Sequence, residues 1–397
     1  MNQPRAVVIG GGIGGLTAAV ALHRRGWVVT VLERASALTP VGAGMGLTPN
    51  AQRALDVLGL GDEVRALSAW QGDGGLRAPG GRWLSRTSGE AVADRFGGPV
   101  VLVHRATLVS LLASALPEGV VRTGTAAALA DPGGDGHRAR VSTSDGIWEA
   151  DLVVGADGVN SGVRQVLFPG HPGPRYAGFT TWRMIVPAPG RPFAPHETWG
   201  RGRLWGTQPL KDGRVYAYAM AAAPPGGHAS DDEKAELLRL FGEWHDPVPR
   251  IIRAAEPDAV LRHDVHEMYE PLPAYHRGRA ALLGDAAHAM QPTVGQGGNQ
   301  AIEDAVVLAH HAGSGHDTPD LAAYSADRLP RTTAIVKQAT QTGRMIAVTS
   351  PAAVALRDTA IATLSRLVPG LLLRSFAGIA DWRPPQRTYA SGTAHPS

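Results

Sequence analysis

At 397 residues, with 44% hydrophobic and 18% charged residues, the chain is long enough for two domains and a large core, and no apolar run is long enough to span a bilayer. A formal charge of +3 without dense Lys/Arg clusters gives no electrostatic footprint for nucleic acid, and the scarcity of lysine beside abundant arginine reads as genome composition. The lack of cysteine removes disulfides, thiolate nucleophiles, CxxC redox chemistry and Cys-ligated metals together, and agrees with a reducing, cytoplasmic setting.

The chain opens on a βαβ pattern. Ala6 to Ile9 is a fully apolar run, as expected of a strand buried on both faces. Gly10, Gly12 and Gly15 follow in G-x-G-x-x-G spacing, Leu16 to Arg25 is rich in helix formers, Gly26 stops the helix, and Val28 to Leu32 reads as a second buried strand closed by Glu33. Gly10 permits a tight turn, Gly12 lets the backbone approach a pyrophosphate, and Gly15 lets helix and strand pack closely. The helix N-terminus aims unpaired N–H groups at phosphates, and Glu33 can accept hydrogen bonds from ribose hydroxyls while repelling a 2′-phosphate, so the site suits FAD or NAD and not NADP. A secretory reading, with Arg5 before an apolar stretch and Ala19-Val20-Ala21 as the cleavage site, is disfavoured by the five glycines that interrupt that stretch.

Arg34 to Pro49 is a Gly-rich loop containing Gly42 to Gly46, and Asn50 is placed to cap a helix over Ala51 to Leu58 that Gly59 ends. Residues 70–98 read as part of a sheet outside the dinucleotide fold. Val100 to Val103 is again a buried strand, followed by His104-Arg105 and a helix over about 106–116; Arg105 at this junction suits a phosphate, a flavin edge or an ordinary surface ion pair. Residues 120–150 form a β-meander with turns at 131–136 and 145–146. Leu152 to Val154 is a third buried strand, and Gly155-Ala-Asp-Gly158 turns sharply into a helix, with Asp157 beside a ligand or acting as a cap.

Residues 174–266 change texture, with more proline and alternating strands. Thr180, Trp182 and Met184 share one face, Trp205 and Thr207 or Leu204 and Gln208 share faces of the next strand, and Tyr216, Tyr218 and Met220 share a face of a third. An antiparallel sheet with one covered face follows, its aromatic residues either forming a core or lining a pocket for a flat ligand. Asp231 to Trp244 is an amphipathic helix with Leu237, Leu238 and Phe241 inward. Ala280 to Leu283 is a further buried strand ending at Gly284-Asp285, followed by an irregular loop through Pro292, Gly295, Gly297 and Gly298, and a helix that Asn299 opens and that runs to about His311. Asp285 can bind a polyol hydroxyl or cap the turn, Glu303 and Asp304 read as solvated in the simpler view, and His310, His311 and His316 as solvated or capping residues. Residues 319–344 are helical, Pro351 to Phe376 is apolar and helical, and the last dozen residues have the composition of a disordered tail.

Taken in order, Gly10-Gly12-Gly15, Asp157-Gly158 and Gly284-Asp285, with Gly178-Phe-Thr-Thr-Trp-Arg183 and Trp199-Gly-Arg-Gly202 between the last two, resemble the single-component class A flavoprotein monooxygenases, in particular the salicylate and 4-hydroxybenzoate hydroxylase-like branch. The resemblance spans nearly the whole chain. It implies an α/β fold: a Rossmann-like FAD-binding domain of the GR2 type over 1–69, 99–173 and 267–345, an inserted antiparallel β-sheet substrate domain over 70–98 and 174–266, and a C-terminal helical segment with a disordered tail over 346–397. It implies FAD bound by Gly10, Gly12, Ile13, Gly14, Gly15, Glu33, Arg34, Arg105, Asp157, Asp285, Gly297, Gly298 and Asn299, with Pro292, Gly295 and Gly298 in a loop at the flavin ring. Leu47, Trp182, Trp205, Tyr216 and Pro292 are the expected substrate pocket.

The implied reaction uses NADH or NADPH as a transient co-substrate and O2, and hydroxylates a small aromatic or other electron-rich molecule through a flavin C4a-hydroperoxide. No base is assigned among Tyr216, Tyr218, His104 and Arg183, and His288 supports the flavin loop. The alternatives are a flavin epoxidase or tailoring oxygenase of a secondary metabolite, a reductase-dependent dehydrogenase, and a flavin-stabilised sensing module without turnover; the Trp-x-Trp-x-Ile-Pro pattern of halogenases is absent. No metal, nucleic-acid partner or stable membrane insertion is expected, and the chain is a monomer or homodimer.

Overall fold

The computed structural model describes residues 3–38, 43–67, 73–190, 193–314, 318–368, 370 and 376–385. Gly42, His316, residues 371–375 of the apolar C-terminal stretch, and the tail from 386 onward, expected to be disordered, lie outside the described residues.

The apolar runs assemble side by side. His276–Arg277, Ala280–Leu282, Leu152–Gly155, Arg5–Ile9, Val28–Leu32 and Val121–Arg122 form one six-stranded sheet in that order, parallel except at its first pair. Val7 lies opposite Val153 on one side and Thr30 on the other. Val8, Val31, Val153, Val154 and Leu282 are almost wholly buried, the consequence of covering both faces of a parallel sheet. Helices Ile13–Arg24 and Gly297–His311 pack against each other beside this sheet. Ala19 to Ala21 are buried in the first of them. Of the meander expected over residues 120–150, residues 127–150 form three antiparallel strands, Ala127–Asp131, Ala139–Thr143 and Gly146–Ala150, whereas Val121–Arg122 joins the parallel sheet.

A seven-stranded sheet stands apart in sequence and character. Its order is Leu261–Glu267, Arg175–Pro187, Arg214–Ala222, Arg203–Pro209, His196–Trp199, Gly74–Arg77 and Trp83–Thr87. All neighbours are antiparallel except His196–Trp199 with Gly74–Arg77. One face packs Trp182, Met184, Trp205 and the alanines 217, 219 and 221 against helices Glu233–Phe241 and Val248–Ala254, through Leu237, Phe241, Ile251 and Ile252. Residues 321–346 form one long helix and Pro351–Leu367 another. Among the described residues no helix is long and apolar enough to cross a membrane.

Two local expectations shift. Asn50 does not cap its helix, which runs Pro49–Val57 with Thr48 at the N-cap; Asn50 is the second residue of the helix and donates to Glu303 (2.6 Å) and Gln296 (3.2 Å). The long helix near the third motif begins at Gly297, two residues before Asn299.

Candidate active site

The two large sheets flank a cavity of about 2020 Å³. Sites for a single small ligand run from roughly 300 to 1,000 Å³, so this one has room for a dinucleotide and a second molecule. Gly10, Gly12, Ile13, Gly14, Glu33 and Arg34 line one end, with Asp157, Asp285 and Arg105 further along, and Pro292, Gly295, Gly297 and Gly298 lead toward the seven-stranded sheet. The three glycine-containing motifs, separated by well over a hundred residues each, therefore meet at one wall.

The dinucleotide end is shaped by what its glycines touch. A Cβ on Gly15 would sit 2.0 Å from the Gly10 carbonyl oxygen, and one on Gly10, whose φ is +111°, 2.4 Å from that of Ala156. Gly15 is thus spent on packing and does not line the cavity. Gly12 has nothing within 4 Å of where its Cβ would be, so its backbone borders open space that a pyrophosphate can enter. Glu33 accepts from the Gly11 N–H (2.7 Å) and the Ala35 N–H (2.8 Å), which holds the carboxylate at the cavity edge and ties the turn after Arg5–Ile9 to the loop after Val28–Leu32.

The two later aspartates differ. Asp157 accepts from the Ser161 hydroxyl (2.5 Å) and the Val163 N–H (3.0 Å), so it caps helix Gly162–Leu167 while lining the cavity. Asp285 is exposed to the cavity, and among the described residues no hydrogen bond engages its carboxylate, which leaves it available to a polyol chain. Arg164 donates to the Ala286 carbonyl (3.0 Å) and locks the second motif to the third. Arg105 reaches into the cavity yet is enclosed by its walls; enclosure lowers the proton affinity of its guanidinium, Asp285 opposes that shift, and Arg183 adds to it.

Asn299 does not line the cavity. It accepts from the Thr48 N–H (3.0 Å) and donates to the Gly46 (2.9 Å) and Gly295 (2.7 Å) carbonyls, fastening the Gly44–Leu47 strand and the loop glycine Gly295 to the helix start. Behind it lies a closed polar network. Asp304 accepts from the Gly284 N–H (2.9 Å), His288 Nε2 (2.6 Å) and Arg328 (2.6 Å); Glu303 takes Arg328 (2.6 Å), Arg331 (2.7 Å) and Asn50. Burial alone would raise the Asp304 carboxyl, but the charges of His288 and Arg328 outweigh it and hold the group well below the usual range. Both acids are fully buried, not solvated.

Three residues expected in the substrate pocket are elsewhere. Trp182 and Trp205 face the opposite side of the seven-stranded sheet, in the core under helices Glu233–Phe241 and Val248–Ala254. The reason is strand alternation: Arg183 and Thr181, the neighbours of Trp182, take the cavity side. Leu47 turns into the core of the first sheet, leaving Gly46 and Thr48 on the cavity. Tyr216 and Pro292 do line it. Of the four residues weighed as a base, Tyr216, Tyr218 and Arg183 line the cavity and His104 does not. Burial raises both tyrosines above the ordinary phenol range, with Arg183 and Arg105 pulling Tyr216 back and the Glu197 charge pushing Tyr218 further up.

Glu197 was not among the expected residues. It lines the cavity, accepts from the Tyr218 hydroxyl (2.7 Å) and the Trp199 indole (3.0 Å), and burial raises its carboxyl against the pull of those two donors. The signal available in sequence was its period-two spacing from Trp199.

Comparison with known proteins agrees with this geometry. Residues 4–339 match the family model described as FAD binding domain. The chain is 39% identical over 329 residues to aurachin C monooxygenase/isomerase of Stigmatella aurantiaca, covering 82% of this chain and 85% of that one. It is 37% identical over 356 residues to 3-amino-4-hydroxybenzoate 2-monooxygenase of Streptomyces cremeus, covering 84% and 86%. The chain belongs to this family of FAD-dependent monooxygenases. The fold superposes on Klebsiella pneumoniae HpxO, solved with FAD and uric acid, with a TM-score of 0.84 at 28% identity over 95% of this chain and 97% of that one. The FAD monooxygenase fold therefore holds as read from the three motifs: a Rossmann-like cofactor domain, an inserted sheet and C-terminal helices.

Proposed function

We propose that this FAD monooxygenase oxidises a small, flat, electron-rich ring held between the Pro292–Gly298 loop and the seven-stranded sheet. The observation that carries the reading is the continuity of one cavity from the glycine cradle to a polar sheet wall bearing Arg183, Tyr216, Tyr218 and Glu197. Similarity to enzymes named for 3-amino-4-hydroxybenzoate and aurachin C supports an aromatic or heteroaromatic substrate, and the second leaves a tailoring oxygenase as a specific alternative.

FAD, when bound, supplies two-electron acceptance from a nicotinamide coenzyme and activation of O2. The chain's own residues do the rest. Gly10, Gly12, Ile13 and Gly14 present backbone to the pyrophosphate, Glu33 takes the ribose hydroxyls with Arg34 beside it, and Asp285 takes the polyol chain. Arg105 and Asp157 flank the middle of the cofactor. The N-terminus of the Gly297–His311 helix, with Gly297 and Gly298, stabilises negative charge at the ring. Pro292 and Gly295 set the floor on which substrate rests, and Arg183 with Tyr216 orients it. Asn299 keeps that floor in register. We assign residues 1–69, 99–173 and 267–345 to cofactor, 70–98 and 174–266 to substrate, and 346–397 to a C-terminal segment, in a cytoplasmic monomer or homodimer.

The test is anaerobic stopped-flow mixing of the FAD-loaded protein with NADH or NADPH, with and without a set of small phenols and amino-aromatics. Flavin bleaching strongly accelerated by one ligand is the expected result. A flavin that neither coenzyme ever bleaches would overturn the single-component reading.

A further inference from the structure

The cavity face of the seven-stranded sheet carries one lateral row of cross-strand neighbours: Arg183 opposite Tyr218, Tyr218 opposite Gly206, and Gly206 opposite Glu197. Three strand spacings separate the backbone at Arg183 from that at Glu197, about 14 Å. Gly206 is what lets the middle of the row work. A Cβ there would fall 2.0 Å from the Tyr218 ring, so the phenol lies flat over a bare backbone and reaches Glu197.

The row is bipolar. At one end Arg183 and Arg105 face the cavity around Tyr216; at the other stands a carboxylate. Among the described residues no cation pairs with Glu197: its partners are the neutral Tyr218 hydroxyl and Trp199 indole, one on each oxygen. A carboxylate has about four acceptor sites, so two remain. A half-buried acid that faces a ligand cavity, short of donors and without a counter-charge, is a costly arrangement unless something that enters the cavity completes it.

We infer that Glu197 is a specificity-determining residue that accepts a hydrogen bond from an N–H or O–H substituent of the substrate, whose opposite, anionic or oxo-bearing end is held by Arg183. The inference rests on the monooxygenase reading and narrows its substrate class to rings with an acceptor at one end and a donor at the other. Orientation follows from charge: an acid group is attracted to the arginine end and repelled from Glu197, so the ring enters one way round. A ring bearing a methyl group where the donor should be leaves the buried carboxylate unsatisfied and is rejected.

The experiment titrates FAD-loaded protein with 4-aminobenzoate and 4-methylbenzoate, acids of similar shape that differ in carrying N–H, and reads binding by flavin absorbance and calorimetry. The expected preference for the amine is roughly 10-fold or more, the range of a hydrogen bond to a charged acceptor. In Glu197→Leu the preference falls to near one. In Glu197→Gln, whose amide oxygen still accepts, it is reduced but present; this variant decides the matter where the leucine variant does not retain FAD. Equal affinity for the two acids in the unmodified protein, including no detectable binding of either, overturns the inference, as does a preference that both variants leave unchanged. FAD retention and reduction by NADH or NADPH are followed in the same samples. Normal reduction without discrimination counts against Glu197 alone, whereas failure of reduction counts against the monooxygenase reading.

Discussion

The fully buried pair Glu303 and Asp304 and the half-buried Glu197 are satisfied in opposite ways. Glu303 and Asp304 sit at zero exposure and are surrounded by Arg328, Arg331, His288, Asn50 and the Gly284 N–H. Glu197 faces the cavity with a phenol and an indole for company. The first arrangement is complete without a ligand, and what it does is fix a shape: it holds Gly284, where the backbone turns at φ +60°, and the start of the third motif against the long helix Leu321–Ile346. The second is incomplete without one. A saturated ionic cluster marks scaffold, and an unsaturated acid in a cavity marks recognition.

Breaking the saturated side has the largest expected effect. Arg328→Met keeps most of the side-chain volume but strands two buried carboxylates. Removing one partner of a buried ion pair costs about 3–5 kcal/mol. Urea denaturation of the apoprotein should show a loss of that size. A loss below about 1 kcal/mol would mean that Arg331 and His288 suffice and that the network is redundant.

The strand that carries Glu197 also allows a sharper test, on its reverse side. His196 is 2% exposed and faces His245, with ring centroids 5.3 Å apart. Burial, with smaller contributions from Arg77 and His245 and against the Ala194 carbonyl, lowers its pKa from 6.5 to about 4. The folded protein therefore holds a neutral imidazole where the unfolded chain binds a proton. The stabilising effect of the neutral form is whole above pH 6.5 and is lost as pH falls toward 4. A shift of that size corresponds to about 3 kcal/mol. The difference between the unfolding free energies measured at pH 7 and at pH 4 should be smaller in His196→Phe than in the unmodified protein, by about that amount. Identical pH slopes would show that His196 is not held neutral.

The same contrast explains what could be read in the sequence. The glycine motifs and the Ala6–Ile9, Val28–Leu32, Leu152–Val154 and Ala280–Leu283 runs were legible because a strand covered on both faces is apolar throughout, and because local turns demand glycine at fixed offsets. The inserted sheet was legible as a sheet, and period-two spacing correctly grouped Tyr216 with Tyr218. It could not say which face the helices cover. That depends on residues 233–254 folding back over Trp182 and Trp205, a contact across some fifty residues of chain. Beyond its period-two spacing from Trp199, the role of Glu197 was illegible for a related reason: it comes from Gly206 and Tyr218 on the next two strands and from the lack, among the described residues, of a paired cation. Asn50 and Arg328 carry no local signature of the network they share with Glu303.

The smallest effect on stability, and the cleanest separation of scaffold from site, belongs to two glycines of one motif. Gly15→Ala drives a methyl group to 2.0 Å from the Gly10 carbonyl oxygen, and backbone must move. Overpacking of this kind costs about 1–3 kcal/mol and should lower apoprotein stability and FAD uptake together. Gly12→Ala meets nothing within 4 Å, and its backbone at the helix start is extended at φ −76° and ψ −178°, which any residue adopts. Its apoprotein stability should stay within about 0.5 kcal/mol of the parent. The methyl group then occupies the space through which the pyrophosphate approaches the helix N-terminus, so FAD affinity should fall by on the order of tenfold or more. Denaturation of the apoproteins and fluorescence titration with FAD separate the two quantities. If Gly12→Ala bound FAD as tightly as the parent, the open space at Gly12 would not be where the cofactor's phosphates lie, and the dinucleotide end of the cavity would need to be placed elsewhere.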